Sequence, residues 1–224
     1  AGPAILVANA ATHDRREVLE SGVLGVDHLA DLPAEHIQTL SDGSIAATVA
    51  VPGMGVAAFD VEPADDAVRV GPLGMSNSSL SVELDRAGNI TSVRDLRVGR
   101  EVLPEGGRGA VLTLAPDHPV EYDAWDLEEW TASMAVELQP HAAAEVLESG
   151  PLVGRLRTEH RFGGSTVRRT ITLRAGSPRL DVTLDIDWQE DEKLLSIEFP
   201  LDVRSDRASC EAQFGYLRRP THRS

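Results

Sequence analysis

The sequence predicts an all-β protein built from antiparallel sandwiches. Apolar residues recur with period two along most of the chain, amphipathic helical periodicity is nearly absent, and Gly- and Pro-containing turn signals divide the runs at roughly ten-residue intervals. Such spacing fits hairpins and meanders and leaves no room for the helical crossovers of parallel sheets.

Taken in chain order, residues 1–62 read as a small β-unit with a turn at Asp42-Gly43. Two polar breaks follow, Glu62-Pro63-Ala64-Asp65-Asp66-Ala67 and Gly71-Pro72-Leu73-Gly74-Met75-Ser76-Asn77, so residues 63–76 are expected to be a linker. Residues 77–224 read as a larger sheet assembly. Leu80 to Asp85 alternates cleanly, Gly88-Asn89 turns, Val111 to Leu114 alternates again, and Gly106-Gly107 and Gly163-Gly164 mark further turns. Ala142 to Leu147 is the only helix candidate, and its length suits a strand equally well. Thr166 to Leu173 places Val167, Ile171 and Leu173 on one face with Arg169 among them, and Arg168, Thr170 and Thr172 on the other. After Gly176-Ser177-Pro178, Leu180 to Asp187 is a strand with Asp181, Asp185 and Asp187 on its solvated face. Glu190-Asp191-Glu192 is a polar turn. The chain stops soon after the strand-like run from Cys210 to Leu217, and it is expected to be a fragment of something longer.

Composition excludes several functions. With 36 Asp and Glu against 21 Lys and Arg, the net charge of −15 repels polyphosphate and anionic membranes, so no nucleic-acid or membrane partner is expected. No apolar run reaches the ~18–20 residues of a membrane helix. Ala1-Gly2-Pro3-Ala4 lacks the charged start of a signal peptide, so a cytoplasmic location is expected. The single cysteine, Cys210, precludes an internal disulfide, and its place in an alternating strand predicts a packed thiol. The seven histidines are scattered, with no pair at the i,i+4 spacing of a helical zinc site. No Gly-x-Ser-x-Gly elbow is present, and Gly22-x-x-Gly25 and Gly53–Gly55 read as turns.

Two segments stand apart. Tyr122, Trp125 and Trp130 fall within nine residues, among the carboxylates of Glu121, Asp123, Asp126, Glu128 and Glu129. Aromatic faces that stack on sugar C–H groups, beside carboxylates that accept from hydroxyls, make a saccharide site; the same tryptophans could equally anchor a sandwich core. The second segment, Gln213 to Arg223, gathers Arg218, Arg219, His222 and Arg223 near Phe214 and Tyr216. Its cations could bind sugar hydroxyls or pair with the acidic remainder of the chain.

The order of these pieces resembles a known family. Asn77 to Asp85, Gly88 to Asp95 and Gly99 to Leu103 resemble the opening of the C-terminal β-region of glycoside hydrolase family 38 α-mannosidases. Tyr122-Asp123-Ala124-Trp125-Asp126, Asp187-Trp188, Lys193-Leu194-Leu195, Phe199 to Val203, and Gln213-Phe214-Gly215 through Arg219-Pro220-Thr221-His222 are similar to the bacterial and vacuolar branch. Residues 1–62 resemble the small β-unit before this region, with Val49 to Gly55 its last hairpin.

The resemblance implies a mutarotase-like super-sandwich that packs against an N-terminal catalytic α/β barrel of the same parent chain and acts on α-mannoside glycans. Retaining hydrolysis, the zinc ion and the Asp nucleophile belong to that barrel by resemblance, so this chain is expected to hold no catalytic residue and no cofactor of its own. Carried over by position, Trp125 and Asp126, then Asp123, Arg219 and His222, become residues of the substrate rim. The rival readings are a stand-alone carbohydrate-binding module or structural interaction domain, and a mutarotase- or lyase-like sandwich enzyme. The last requires a convergent His/Glu or Tyr/Arg set that the sequence does not supply.

Overall fold

The computed structural model describes residues 6–20, 37–58, 61–62, 66–122 and 127–222. The chain is all-β: the helical element among these residues is a short 3-10 turn, Thr131–Met134. The first unit contains β1 (Leu6–Asn9), β2 (Arg15–Glu20), β3 (Ile37–Thr39), β4 (Ile45–Val51), β5 (Gly55–Ala58) and β6 (Val61–Glu62). β4 is its centre and pairs with β2, β3 and β6. Ala46, Ala47, Thr48, Val49 and Val51 of β4 are all buried, so alternation gives way to a run of small and β-branched residues covered on both faces. The segment from Val49 to Gly55 does turn, but β5 swings across to pair with β1, Leu6 opposite Ala58 and Asn9 opposite Gly55. Gly53 permits this return, because a Cβ there would lie 2.9 Å from the backbone of Thr12 and His13.

The second unit opens with a five-stranded meander: β7 (Arg69–Gly71), β8 (Gly74–Ser76), β9 (Leu80–Leu84), β10 (Ile90–Asp95) and β11 (Arg100–Glu101). The expected linker at 63–76 is therefore corrected, since residues 69–76 form the first hairpin of this sheet. Their Gly and Pro residues mark its tight turn rather than an interdomain break. β12 (Val111–Pro116) lies between β13 (Val136–Glu137) and β18 (Lys193–Glu198). β14 (Glu145–Ser149) takes up the second half of the stretch that suited helix or strand, where it pairs antiparallel with the strand that follows, while Ala142–Ala144 lie outside any strand or helix. β15 (Val153–Phe162), β16 (Ser165–Arg174) and β17 (Leu180–Asp187) complete a four-stranded meander. β18 (Lys193–Glu198) and the hairpin β19 (Arg207–Ala212) and β20 (Gly215–Pro220) follow.

The two meanders face each other across the main core, with Val82, Leu84, Ile90 and Leu103 packed in one cluster with Leu156, Ile171 and Leu173. Burying such side chains stabilises the sandwich by roughly 1.5–3 kcal/mol each. Arg169 occupies the same inner face, opposite Thr158 on β15, and is only 1 % exposed. Its guanidinium donates to Asn89 Oδ1 and to the Ala87 carbonyl, each at 3.0 Å, and to the Ala110 carbonyl. Gly88, at φ +72, lies over it: a Cβ there would lie 2.3 Å from Thr158 Cγ2.

The first unit is seated on the second meander through a polar seam. Gln38, buried at the seam, accepts the Leu152 and Val153 N–H groups at 2.8 Å and donates to the Val153 carbonyl at 3.0 Å. Glu148 accepts from Ser41, at 2.8 Å from its N–H and 2.6 Å from its hydroxyl. Glu20 pairs with Arg155 and with Arg174, the latter at 2.8 Å. Partial burial raises the Glu20 carboxyl, but the hydrogen bonds from Arg155 and Arg174 outweigh it and hold the group below its usual range. Beneath these bonds Val18, Leu40 and Ala46 pack with Leu152 and Val153.

Arg169→Met should leave the acceptors at Ala87, Asn89 and Ala110 unpaired and destabilise the protein by roughly 2–4 kcal/mol in urea unfolding. Arg168→Met, on the opposite face of the same strand, removes only an exposed pair with Glu159 and should cost under about 1 kcal/mol. Equal effects for the two variants would show that Arg169 does not organise this end of the core.

Candidate functional site

Two of the expected rim residues are described. Arg219 lies near the end of β20 and is exposed, and His222 follows just past the strand. The hairpin that carries Arg219 pairs Ala208 with Arg219, Cys210 with Leu217 and Ala212 with Gly215. Alternation therefore gives one face of Ala208, Cys210, Ala212, Leu217 and Arg219, and another of Arg207, Ser209, Glu211, Tyr216 and Arg218. Arg218 lies 5.9 Å from the Tyr216 ring centroid on the second face. Phe214 turns the hairpin tip at φ +64 and is fully exposed. Cys210 is exposed as well, which corrects the expectation of a packed thiol: its strand alternates, but nothing described covers its face.

Asp123, Trp125 and Asp126 lie outside the described residues. On either side of them Tyr122 is 69 % exposed at φ +60 and Leu127 is 63 % exposed. Trp130 is 39 % exposed. Glu128 accepts the Val120 N–H at 3.2 Å, which ties the two ends of the segment together at the surface.

The polar chemistry that is buried lies elsewhere, around Arg169. Asn89 accepts from Arg169 through Oδ1, while its Nδ2 donates to Asp85 at 3.2 Å and to Glu137 at 3.1 Å. Arg108 grips Glu137 with both terminal nitrogens, at 2.9 and 2.6 Å. That hydrogen bond, set against partial burial, keeps the Glu137 carboxyl below its usual range. Burial pushes Arg169 down to about 10, opposed by the fields of Asp85 and Glu137. His160, two residues from Thr158 on the same inner face, is 1 % exposed, and neither ring nitrogen has a hydrogen-bond partner among the described residues. Burial lowers its pKa and the Arg169 charge lowers it further; the nearby Gln139 and Leu138 carbonyls favour the cation without making a well-formed bond. Arg169 was visible in the sequence as the one cation among Val167, Ile171 and Leu173. Asn89 carried no signal beyond its turn, and His160 none at all.

A groove of about 940 Å³ runs between β2 and the outer face of the second meander, lined by Arg16, Glu20, Arg155, Arg157, Arg174 and Asp181 among others. Much of its charge is internally paired: besides the Glu20 pairs, Arg174 and Arg179 hold Asp181 at 2.5 and 2.8 Å, and Arg157 meets Glu145 at 3.0 Å. Among the described residues no aromatic ring lines it, so these residues offer no stacking platform for a sugar. It is the outer mouth of the seam.

The described residues do not fit a zinc ion. No three His, Cys, Asp or Glu side chains among them gather to hold a metal. The buried His160 faces a guanidinium, and His118 meets the single carboxylate of Glu192 at 3.3 Å. Nor is any helix among the described residues long and apolar enough to cross a membrane.

Residues 75–224 match the family model described as the glycosyl hydrolases family 38 C-terminal domain. Alpha-mannosidase 2C1 of Homo sapiens is 32 % identical over 157 residues, covering 68 % of this chain and 15 % of that protein. Alpha-mannosidase G of Dictyostelium discoideum is 26 % identical over 218 residues, covering 86 % of this chain and 20 % of its own length. Among solved structures, an alpha-mannosidase from Enterococcus faecalis V583 superimposes with a TM-score of 0.64 at 10 % identity, over 98 % of this chain and 34 % of that one, which establishes likeness of fold. The chain thus spans between 15 % and 20 % of these curated relatives.

The buried imidazole has a consequence in pH. A histidine whose folded pKa lies below its unfolded value near 6.5 contributes stability above that value and loses it as pH falls toward the folded pKa. Unfolding free energy should therefore decline below pH ~6.5 with a slope of up to about 1.4 kcal/mol per pH unit. His160→Gln should flatten this part of the curve, above the range where carboxylates titrate. An unchanged slope in His160→Gln would assign the effect to another group.

Proposed function

The chain belongs to the glycosyl hydrolase family 38 C-terminal domains, and from that premise we propose that it is the C-terminal β-sandwich part of a retaining, zinc-dependent α-mannosidase. In this reading it completes and supports the mannoside site, while the zinc ion and the nucleophilic carboxylate belong to a catalytic barrel elsewhere in the parent chain. The single observation that carries the reading is the span of the family match, which takes in β9 to β20 and every expected rim residue.

The division of labour follows from the chemistry. A retaining glycosidase needs two carboxylates ~5–5.5 Å apart across the scissile bond. Four acids that are at least partly buried are committed otherwise: Glu20, Glu137, Glu148 and Asp181 hold arginines, an asparagine or backbone groups of the sandwich. What the domain offers is a sugar rim, with Trp125 as the stacking face, Asp123 and Asp126 as acceptors for hydroxyls, and Arg219 and His222 as donors. The site of action we assign is cytoplasmic.

Two measurements on the full-length parent enzyme and this chain test the reading. The parent should hydrolyse p-nitrophenyl α-mannoside in the presence of zinc, and this chain alone should release no nitrophenol above a boiled control. In the parent, Trp125→Ala should lower kcat/KM about tenfold, equivalent to ~1.4 kcal/mol of transition-state binding, with melting temperature nearly unchanged. A loss of ~3–5 kcal/mol in stability with normal specific activity would instead make Trp125 a core residue. Mannoside binding by this chain on immobilised glycans would favour a stand-alone binding module.

A further inference from the structure

Two of the chain's three asparagines open Asn-x-Ser/Thr triplets, Asn77-Ser78-Ser79 and Asn89-Ile90-Thr91. Such a triplet is the acceptor pattern for N-glycosylation, and it is usable where the asparagine stands free in a surface turn. Both asparagines do lie in turns, Asn77 between β8 and β9 and Asn89 between β9 and β10. By sequence each is an open acceptor. The fold closes both.

Asn77 is 7 % exposed and Asn89 only 2 %. The Asn77 amide is engaged on both sides. Its Oδ1 accepts the Ser79 and Leu80 N–H groups at 2.9 and 2.8 Å, which shapes the entry to β9. Its Nδ2 donates both hydrogens across the sandwich, to the Arg174 and Ser177 carbonyls at 2.8 Å each, so this turn is tied to the end of β16. Asn89 repeats the arrangement at the other end of β9. Its Oδ1 accepts from Arg169, and its Nδ2 donates to Asp85 and Glu137 at 3.2 and 3.1 Å. Each Nδ2 thus has two acceptors for its two hydrogens.

Glycosyl transfer acts on that nitrogen. The Nδ2–C1 bond to the sugar forms, the C1–O bond to a lipid diphosphate breaks, and one Nδ2 hydrogen leaves as a proton. The modified amide keeps a single hydrogen, so one acceptor at each site would be left buried and unpaired. The sugar ring would also have to stand where that acceptor now stands, in a close-packed interior. The strand between the two sites, β9, supplies Leu80, Val82 and Leu84 to the core cluster that joins the two meanders.

We propose that Asn77 and Asn89 are fold-closed glycosylation triplets: the folded chain admits no glycan at either, and a chain glycosylated before these turns form cannot join its two meanders. The inference holds whether or not the mannosidase reading does, because it uses only the two amides and their partners.

Peptides spanning residues 72–83 and 84–95, and the folded full-length parent enzyme, are incubated with a purified single-subunit oligosaccharyltransferase and a lipid-linked oligosaccharide. Mass spectrometry counts glycans at each asparagine. The peptides should be modified about a hundredfold or more faster than the same sites in the folded enzyme, where transfer waits on local opening. Native enzyme modified at either asparagine nearly as fast as the peptide overturns the closure. Peptides that stay unmodified overturn it too, since the fold is then not what closes the triplets. The second half of the proposal is read by translating the parent chain, behind a cleavable signal peptide, into microsomes with and without an excess of competing acceptor tripeptide. Without the competitor, the product should carry glycans at Asn77 and Asn89, and trypsin should digest its β9–β18 region about tenfold faster than with the competitor. In a Ser79→Ala, Thr91→Val variant, which keeps both asparagines, the competitor should change digestion by less than about twofold. A product glycosylated at these two sites and as resistant as its unglycosylated counterpart overturns the exclusion. So does a product that escapes glycosylation at both, or a variant that responds to the competitor like the unaltered chain.

Discussion

A guanidinium inside a sandwich is the constraint on which this end of the molecule depends. Arg169 is carried by β16 into the gap between two meanders, where water cannot solvate it, and no carboxylate bonds to it directly. Its hydrogens must therefore find neutral acceptors, and the β9–β10 turn and the start of β12 are bent so that two carbonyls and an asparagine oxygen point at it. Asn89 passes the charge on: it accepts from Arg169 and donates to Asp85 and Glu137, so a cation in one sheet is balanced by anions in two others. The stiffness of this corner comes from electrostatic satisfaction; apolar packing holds the opposite corner, around Leu156 and Leu173.

The price of that arrangement falls on His160. Kept neutral beside a cation and without hydrogen-bond partners, it contributes little that an apolar ring of similar size would not. The boundary between the network and the core runs through this pair: the terminal nitrogens of Arg169 find acceptors, whereas its Nε and both ring nitrogens of His160 find none among the described residues.

Much of the architecture was legible because alternation is a local property. Leu80–Leu84, Thr166–Leu173 and Leu180–Asp187 became strands with the expected faces inward, and the acidic row of β17 faces outward. Features that depend on which strand lies beside which were not legible. Gly71 to Ser76 has the composition of a break and is a hairpin, because a tight turn and a linker use the same residues. β5 pairs with β1 instead of its sequence neighbour, and Cys210 alternates like a core residue on a hairpin that nothing described covers. The residues expected at a substrate rim were less legible than the fold. Arg219 and His222 were placed by resemblance, and the strand register then separated Arg219 from Arg218, which adjacency in sequence could not do.

The side chain of Gln38 behaves as a peptide group. It accepts two backbone N–H groups and returns one N–H to the Val153 carbonyl, as a neighbouring strand would. The first unit is thus spliced to the second meander by a single-residue imitation of a β-ladder. Shape is not what this splice reads. Glutamate has the same outline, yet it would set a carboxylate oxygen against the Val153 carbonyl and bring a second charge to Glu148, 3.5 Å from the present amide nitrogen. The grammar of the joint is the order of donor and acceptor, so deamidation at this one position, a change of one unit of mass and almost none of volume, is a chemical route by which age alone can loosen the two units.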